Sequence, residues 1–271
     1  MSDMSRRILS CVLALSSATV SSCGGSPAVD TPADALSDTP VEQLTVEIVE
    51  SHPFNDTSFT QGLEMEEDGT LLVGTGWTGE SRIYRSTLDG RELTSQDLEP
   101  HFFGEGITRH GDTVWQLTWQ AGLAIERDAE SLAEVSRVSY PGEGWGLCSF
   151  DDELIMSDGT AELRRLDPDT FEERSRFTVT REGEPVAGLN ELECVDGEIY
   201  ANVFLTTDIL RIDAATGDVT AVIDASSLPN RATDDPNHVL NGIAAVPGTD
   251  RFLMAGKRWP DLYEVELVAA Q

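Results

Sequence analysis

From residue 44 onward, short apolar runs alternate with turn residues. Leu44-Thr-Val-Glu-Ile-Val49 switches between apolar and polar at successive positions, the pattern of a strand with one covered face. Beyond it, five segments open alike, on Gln61-Gly-Leu, Glu105-Gly-Ile, Trp145-Gly-Leu, Asn190-Glu-Leu and Asn241-Gly-Ile. Each is followed by a turn such as Glu67-Asp-Gly69 or Asp196-Gly197, and then by a second apolar strand: Leu71–Gly74, Val114–Leu117, Leu154–Ser157, Ile199–Asn202 and Phe252–Ala255. A third strand follows in every repeat, and in the first four a turn such as Leu166-Asp-Pro-Asp-Thr170 leads into a fourth. The starts lie 44, 40, 45 and 51 residues apart. A period of about 40–50 residues built from four short strands predicts propeller blades. Long amphipathic helical patterns are absent, which favours an all-β chain. The fifth repeat stops at its third strand, Leu262–Val268. The segment 44–49 is therefore expected to add the missing outer strand and remove an exposed edge. The expectation is an all-β, five-bladed β-propeller over residues 44–271, closed by an N-terminal strand.

Topology turns these letters into a place. The first strand of each blade lines the central channel, so Gln61, Glu105, Trp145, Asn190 and Asn241 should form a ring at one mouth. The ends of the second strands, Trp77, Trp119, Asp158, Phe204 and Lys257, should sit beside it. That collection describes an aromatic-walled pocket with a few convergent polar groups, the usual form of a ligand site. Trp115 alternates away from the ring and reads as a plug between blades. Plainer roles exist for the rest. The asparagines cap strand ends in one reading, and Glu105 with Lys257 forms a structural ion pair in another.

Within "HFFGEGI" (101–107) one carboxylate stands between two glycines, after two aromatics. A carboxyl group that exchanges protons near neutral pH needs partial desolvation and room for a substrate. The same glycines could instead serve the close approach of inner strands, because three other repeats also carry glycine after the ring position. The chain holds 17 Arg but a single lysine, Lys257, and the two cations are not chemically interchangeable. A net charge of −31 excludes nucleic acid as a natural partner, since phosphate binding needs clustered Lys and Arg.

The N-terminus reads as an export signal over residues 1–22: Arg6-Arg7, then the apolar run Ile8–Leu15, then small residues. Val20-Ser-Ser-Cys23 has the form of a bacterial lipobox, which would make Cys23 a lipidated residue and the protein an envelope lipoprotein held to a membrane. Plain signal-peptidase cleavage nearby is the alternative. Residues 23–43, rich in Pro, Ser, Thr, Asp and Ala, read as a flexible tether. Cys148 and Cys194 remain, and export permits a disulfide between them, but sequence alone cannot show that their geometry is right, and two buried thiols are the favoured reading.

The segments "SFTQGLE" (58–64), "FFGEGIT" (102–108), "QLTW" (116–119), "GEGWGL" (142–147), "LNELE" (189–193), "ANVF" (201–204), "VLNGIA" (239–244) and "GKRWP" (256–260) resemble, in order, the plant- and bacterial-type glutaminyl-peptide cyclotransferases. The resemblance covers about residues 46–268. It implies a five-bladed propeller that converts N-terminal glutamine of peptides or proteins to pyroglutamate and ammonia; a monomer is the separate expectation. It implies Glu105 as the acid/base, Asn190 and Lys257 beside it, and Gln61, Phe59, Phe103, Trp119 and Trp145 in the pocket. One departure is visible: Phe204 stands where many relatives have Trp, which bears on the pocket wall.

The chemistry suits these side chains. The substrate's α-amine must lose a proton, attack its own γ-amide carbon and expel ammonia, and one carboxyl can accept that proton and then deliver it. The developing oxyanion needs a partner such as Lys257 or Asn190. Trp77, Trp119 and Trp145 would hold the side chain folded for ring closure. No cofactor is required, with room left for a structural calcium, and four His without ligand-like spacing argue against a catalytic zinc. Two rivals belong to other classes. A calcium-dependent lactonase would use Glu105, Asn190, Asn241 and Asp158 as oxygen ligands, although Lys257 opposes a cation there. A non-catalytic peptide-binding propeller is the other.

Overall fold

A computed structural model describes residues 40–270; among them there is no helix, and strands carry the whole fold. Three four-stranded antiparallel meanders come first: Thr60–Met65 through Glu92–Asp97, Gly104–His110 through Glu134–Ser139, and Leu147–Ser149 through Glu173–Thr178. Next is an eight-stranded sheet. In spatial order it reads Leu189–Val195, Glu198–Val203, Asp208–Asp213, Val219–Asp224, Glu42–Pro53, Asp261–Ala269, Arg251–Gly256 and Leu240–Ala245. The strands expected for each repeat are present in order, those of the last two repeats being joined through Glu42–Pro53 in a single sheet. Aspartate-capped turns join third to fourth strands at equivalent points. Asp167 Oδ1 accepts from the amides of Asp169 and Thr170, and Asp213 Oδ1 from those of Ala215 and Thr216. A short acceptor there satisfies the turn's backbone without a strand partner.

The strand Glu42–Pro53 begins two residues before the segment expected from alternation, and it is paired on both sides. It runs antiparallel to Asp261–Ala269, and its first residues, Glu42–Thr45, run parallel to Ala221–Asp224. The second pairing was not legible in the sequence. Of the apolar positions in 44–49 only Val46 is buried, whereas Ile48 and Val49 are exposed, and the register shifts between Ile48 and Glu50.

The core is divided among the faces between neighbouring sheets, a propeller-like arrangement. Leu72, Ile83, Ile107, Val114, Ala129 and Leu132 fill one such seam; Trp115, Leu147, Met156, Leu166 and Phe171 fill another. Trp115 is 1% exposed, and its indole donates to Pro168 O at 2.9 Å, so it plugs space between sheets as its alternation implied.

The first strands of the repeats, Thr60–Met65, Gly104–His110, Leu147–Ser149, Leu189–Val195 and Leu240–Ala245, pack side by side around one axis. They do not form ladders with one another, so their amides near the axis need other partners. Gly106 N donates to Trp145 O at 2.7 Å, an approach so close that a Cβ on Gly106 would lie 2.7 Å from that oxygen. A Cβ on Gly146 would lie 2.0 Å from Asn190 O. The glycines after the ring position thus serve strand approach. Glu191, where the fourth repeat lacks that glycine, sends its carboxylate across the axis instead. It accepts from Leu63 N at 3.1 Å and Ile243 N at 2.9 Å, and burial holds its pKa well above the carboxylate range even so.

Cys148 and Cys194 are joined in a disulfide, which corrects the sequence reading in favour of two buried thiols. The bond ties two adjacent inner strands across a loop of 46 residues. Replacing both cysteines by serine should lower stability by roughly 2–4 kcal/mol, a fall in Tm of about 2–4 °C for each kcal/mol in a domain of this size. Calorimetry of the variant beside the reduced and oxidised wild type checks this, and identical Tm values would mean that the strands hold their spacing without the bond.

Candidate active site

Why the ring residues point into one mouth follows from backbone breaks. Register shifts interrupt four of the five inner strands, between Thr60 and Gly62, Gly104 and Ile107, Leu189 and Leu192, and Leu240 and Ile243. These breaks bracket Gln61, Glu105, Asn190 and Asn241. A bulge frees a residue from strict alternation and re-aims its side chain. In the remaining repeat, Trp145 precedes the short strand Leu147–Ser149.

A cavity of about 260 Å³ opens there. Gln61, Glu105, Trp145, Asn190 and Lys257 line it together with Phe59, Trp77, Phe103, Trp119 and Phe204. Glu105 is 5% exposed; Gln61 Nε2 donates to its Oε1 at 2.9 Å. Asn241 Nδ2 donates to Gln61 Oε1 at 2.9 Å and to Thr60 O at 3.0 Å. Asn241 is fully buried behind Gln61 and is not part of the lining, contrary to its expected place in the ring wall. Its donation to the amide oxygen of Gln61 forces the amide nitrogen toward Glu105. Among the described residues no protein donor reaches Glu105 Oε2.

Burial raises the Glu105 carboxyl well above its ordinary range, the Lys257 ammonium opposes that rise, and the Glu143 charge adds to it. Burial also lowers the Lys257 ammonium to about 8, against the pull of Glu105. The two do not form a direct ion pair among the described residues. The ammonium lies over the rings of Phe59 at 5.0 Å and Phe204 at 5.3 Å. Phe204 also meets Trp145 edge to face at 5.3 Å, so the phenyl ring closes this part of the wall.

Edge-to-face and tilted contacts chain Trp77 to Phe59, Phe103 and Trp119 around the other wall. Glu143 holds this wall to the next one. Its Oε2 accepts from Trp119 Nε1 at 2.8 Å and from Trp145 Nε1 at 3.1 Å, while Oε1 accepts from Gln120 Nε2 at 3.0 Å. Those donors keep its carboxyl below the usual range, the Trp145 indole first among them. Sequence reasoning did not single out Glu143. The signal was there: Gly142-Glu-Gly144 repeats the glycine-flanked acid of Gly104-Glu-Gly106. Leu205 and Asn237 also line the cavity and were not anticipated.

The four oxygen ligands of the lactonase reading do not converge. Asn241 is committed to Gln61, and Asp158 is held by Arg164 Nη2 at 2.8 Å and by Thr160 Oγ1. Among the described residues a metal-sized group of His and carboxylates occurs at Glu50, His52 and Glu264, on outer strands and outside the pocket.

Removing the Glu143 carboxylate releases two indoles at once. Glu143→Ala should diminish the near-UV circular dichroism of the tryptophan bands and cost about 1–2 kcal/mol of stability. Unchanged near-UV signal would show that packing alone fixes Trp119 and Trp145.

Known proteins are similar to this chain in sequence and fold. A family model described as glutamine cyclotransferase matches residues 15–267. A protein of Arabidopsis thaliana named glutaminyl-peptide cyclotransferase is 33% identical over 231 residues, covering 83% of this chain and 72% of the relative. The crystal structure of Myxococcus xanthus glutaminyl cyclase superposes with a TM-score of 0.80 at 36% identity, over 85% of this chain and all of the other. With the motifs in order along the chain and the pocket assembled from them, the protein belongs to the glutamine cyclotransferase family.

Proposed function

We propose that the protein is a glutaminyl-peptide cyclotransferase, an acyltransferase that converts the N-terminal glutamine of peptides or proteins to pyroglutamate with release of ammonia. Family membership supports the activity. The observation that carries the mechanism is a desolvated carboxyl group, Glu105, with one oxygen fixed by Gln61 and the other facing the pocket.

The α-amine of the substrate donates a proton to Glu105 as its nitrogen bonds to the γ-amide carbon. The carbonyl oxygen takes up the electron pair, stabilised by Lys257 and Asn190. Collapse of this intermediate breaks the carbon–nitrogen bond to the amide nitrogen, and Glu105 returns the proton so that ammonia leaves. A carboxyl group with a raised pKa takes the proton from the amine more readily than an ordinary one and holds it near neutral pH until the amide nitrogen departs. Trp77, Trp119 and Trp145 enclose the glutamine side chain, so ring closure begins from a folded conformer. This sequence uses no metal or other cofactor.

We further read the fold as five blades, with Glu42–Pro53 as the outer strand of the last. Its pairing with Asp261–Ala269 supports that reading, as does the packing of five inner strands around one axis. The signal segment, the lipidation of Cys23 and most of the tether fall in residues 1–39, outside the described residues. We propose them on the sequence alone, together with an envelope location and a monomeric state.

Glu105→Gln keeps the shape but accepts no proton, so kcat on Gln dipeptides should fall by roughly a hundredfold or more with Tm little changed. Unchanged turnover in folded Glu105→Gln sinks the mechanism.

Lys257 must be protonated to aid the oxyanion, so kcat/KM should decline as pH rises through about 8. Lys257→Arg should abolish that alkaline limb, since guanidinium does not titrate there, while rescuing the rate poorly. A limb that persists in the variant assigns it to another group.

Removal of residues 1–39 should leave Tm and activity intact. Removal of 1–50 strips most of Glu42–Pro53 and should lower Tm by roughly 10 °C or more. Equal Tm values for the two truncations remove the strand from the closure.

A further inference from the structure

The mouth of the pocket carries apolar side chains that reach past the enclosed glutamine side chain to the rim, Trp77 serving both places. Cyclisation brings both ends of the glutamine residue, its α-amine and its γ-amide, to Glu105, which is 5% exposed. The residue's carbonyl must then lead outward, and the second residue of the peptide comes to lie on the rim. Three large apolar side chains stand there in solvent: Trp77, Phe204 and Leu205, exposed by 43%, 38% and 60%. Only seven large apolar residues are so exposed among the described residues, and three at one mouth is a cluster rather than scatter.

The backbone keeps two of them there against its own preference. Trp77 has φ 103° and Leu205 φ 63°, left-handed values that a bulky side chain disfavours. Leu132 and Phe171 also adopt positive φ, but they are buried and fill the core. Both exposed turns are pinned. Trp77 O accepts from Glu80 N and from Ser81 Oγ, each at 2.9 Å, and Ser81 Oγ accepts from Gly104 N at 3.0 Å, beside Glu105. Phe204 N donates to Gly188 O at 2.8 Å, and Thr206 closes the Leu205 turn on Val203 O. Strained residues held by their surroundings are a mark of functional sites.

The cation lining this mouth, Lys257, is assigned to the oxyanion inside the cavity, so among the described residues the rim offers an acidic side chain no free partner. Glu143 is ionised at the wall. Arg258, the cation beside Trp77, is committed to Glu80 at 3.0 Å and Thr57 O at 3.1 Å.

We infer that Trp77, Phe204 and Leu205 form a subsite for the side chain of the substrate's second residue, selecting apolar over acidic side chains. This rests on the cyclotransferase reading. Such contact is made before and during reaction alike, so the preference should appear in KM rather than kcat.

The test is kcat and KM for Gln-Leu, Gln-Phe, Gln-Gly and Gln-Glu amides, with wild type and Leu205→Ser. Partial burial of a leucine or phenylalanine side chain predicts kcat/KM about tenfold above Gln-Gly, with Gln-Glu below it. Leu205→Ser should bring the Gln-Leu to Gln-Gly ratio to within about twofold, and because it is a ratio it does not depend on the active fraction of the variant. Turnover of all four peptides at equal kcat/KM, or a ratio that Leu205→Ser leaves untouched, overturns the subsite alone. Failure of every peptide to cyclise overturns the cyclotransferase reading and the subsite with it.

Discussion

Five inner strands meet around one axis without forming ladders with one another, and their backbone amides must be satisfied by other means. Orphaned buried amides are costly, so this requirement shapes the rest of the molecule. It is met in three ways. Glycines let strands approach closely enough for direct bonds such as Gly106 N to Trp145 O. The Glu191 carboxylate accepts amides from two neighbouring inner strands. The Asn202 amide oxygen accepts from Gly242 N at 3.1 Å. Each device sits within a residue or two of a bulge, and the bulges aim the ring side chains at the mouth.

The site inherits its precision from that frame. Asn241, behind the lining, sets the orientation of Gln61, and Gln61 sets one oxygen of Glu105. A hydrogen-bonded chain anchored on the backbone of Thr60 thus fixes the position of Glu105 Oε1. Dryness supplies the rest. The same burial raises the Glu105 carboxyl and lowers the Lys257 ammonium, bringing an acid and a base toward neutrality from opposite sides. Their charges partly offset these shifts without meeting in an ion pair, which leaves both groups facing the cavity. Glu143 acts from the wall, fixing two indoles by hydrogen bonds and adding a negative charge that favours the protonated form of Glu105.

Much of the fold was legible because it rests on local chemistry repeated five times. Period-two apolar strands, Asp-Gly turns and a spacing near 44 residues require no long-range information. The ring of Gln61, Glu105, Trp145 and Asn190 followed from equivalent positions in those repeats, and Lys257 from the ends of the second strands. What equivalence could not reveal is depth. Asn241 holds the same repeat position as Glu105, yet Gln61 lies between it and the cavity. Asp158 sits beside the ring in sequence terms, but Arg164 holds its carboxylate.

The amino-acid sequence by itself determined the strands, their repeat and the residues available at one mouth, because alternation and turn chemistry act over a few neighbours. Tertiary structure alone decided the pairings between distant segments: the disulfide of Cys148 and Cys194, the double pairing of Glu42–Pro53 and the reach of Glu191 to Leu63 and Ile243. It also decided the protonation chemistry. A glutamate between glycines carries an ordinary pKa until neighbouring sheets exclude water from it. Desolvation is a property of the packed assembly, and no single strand contains it.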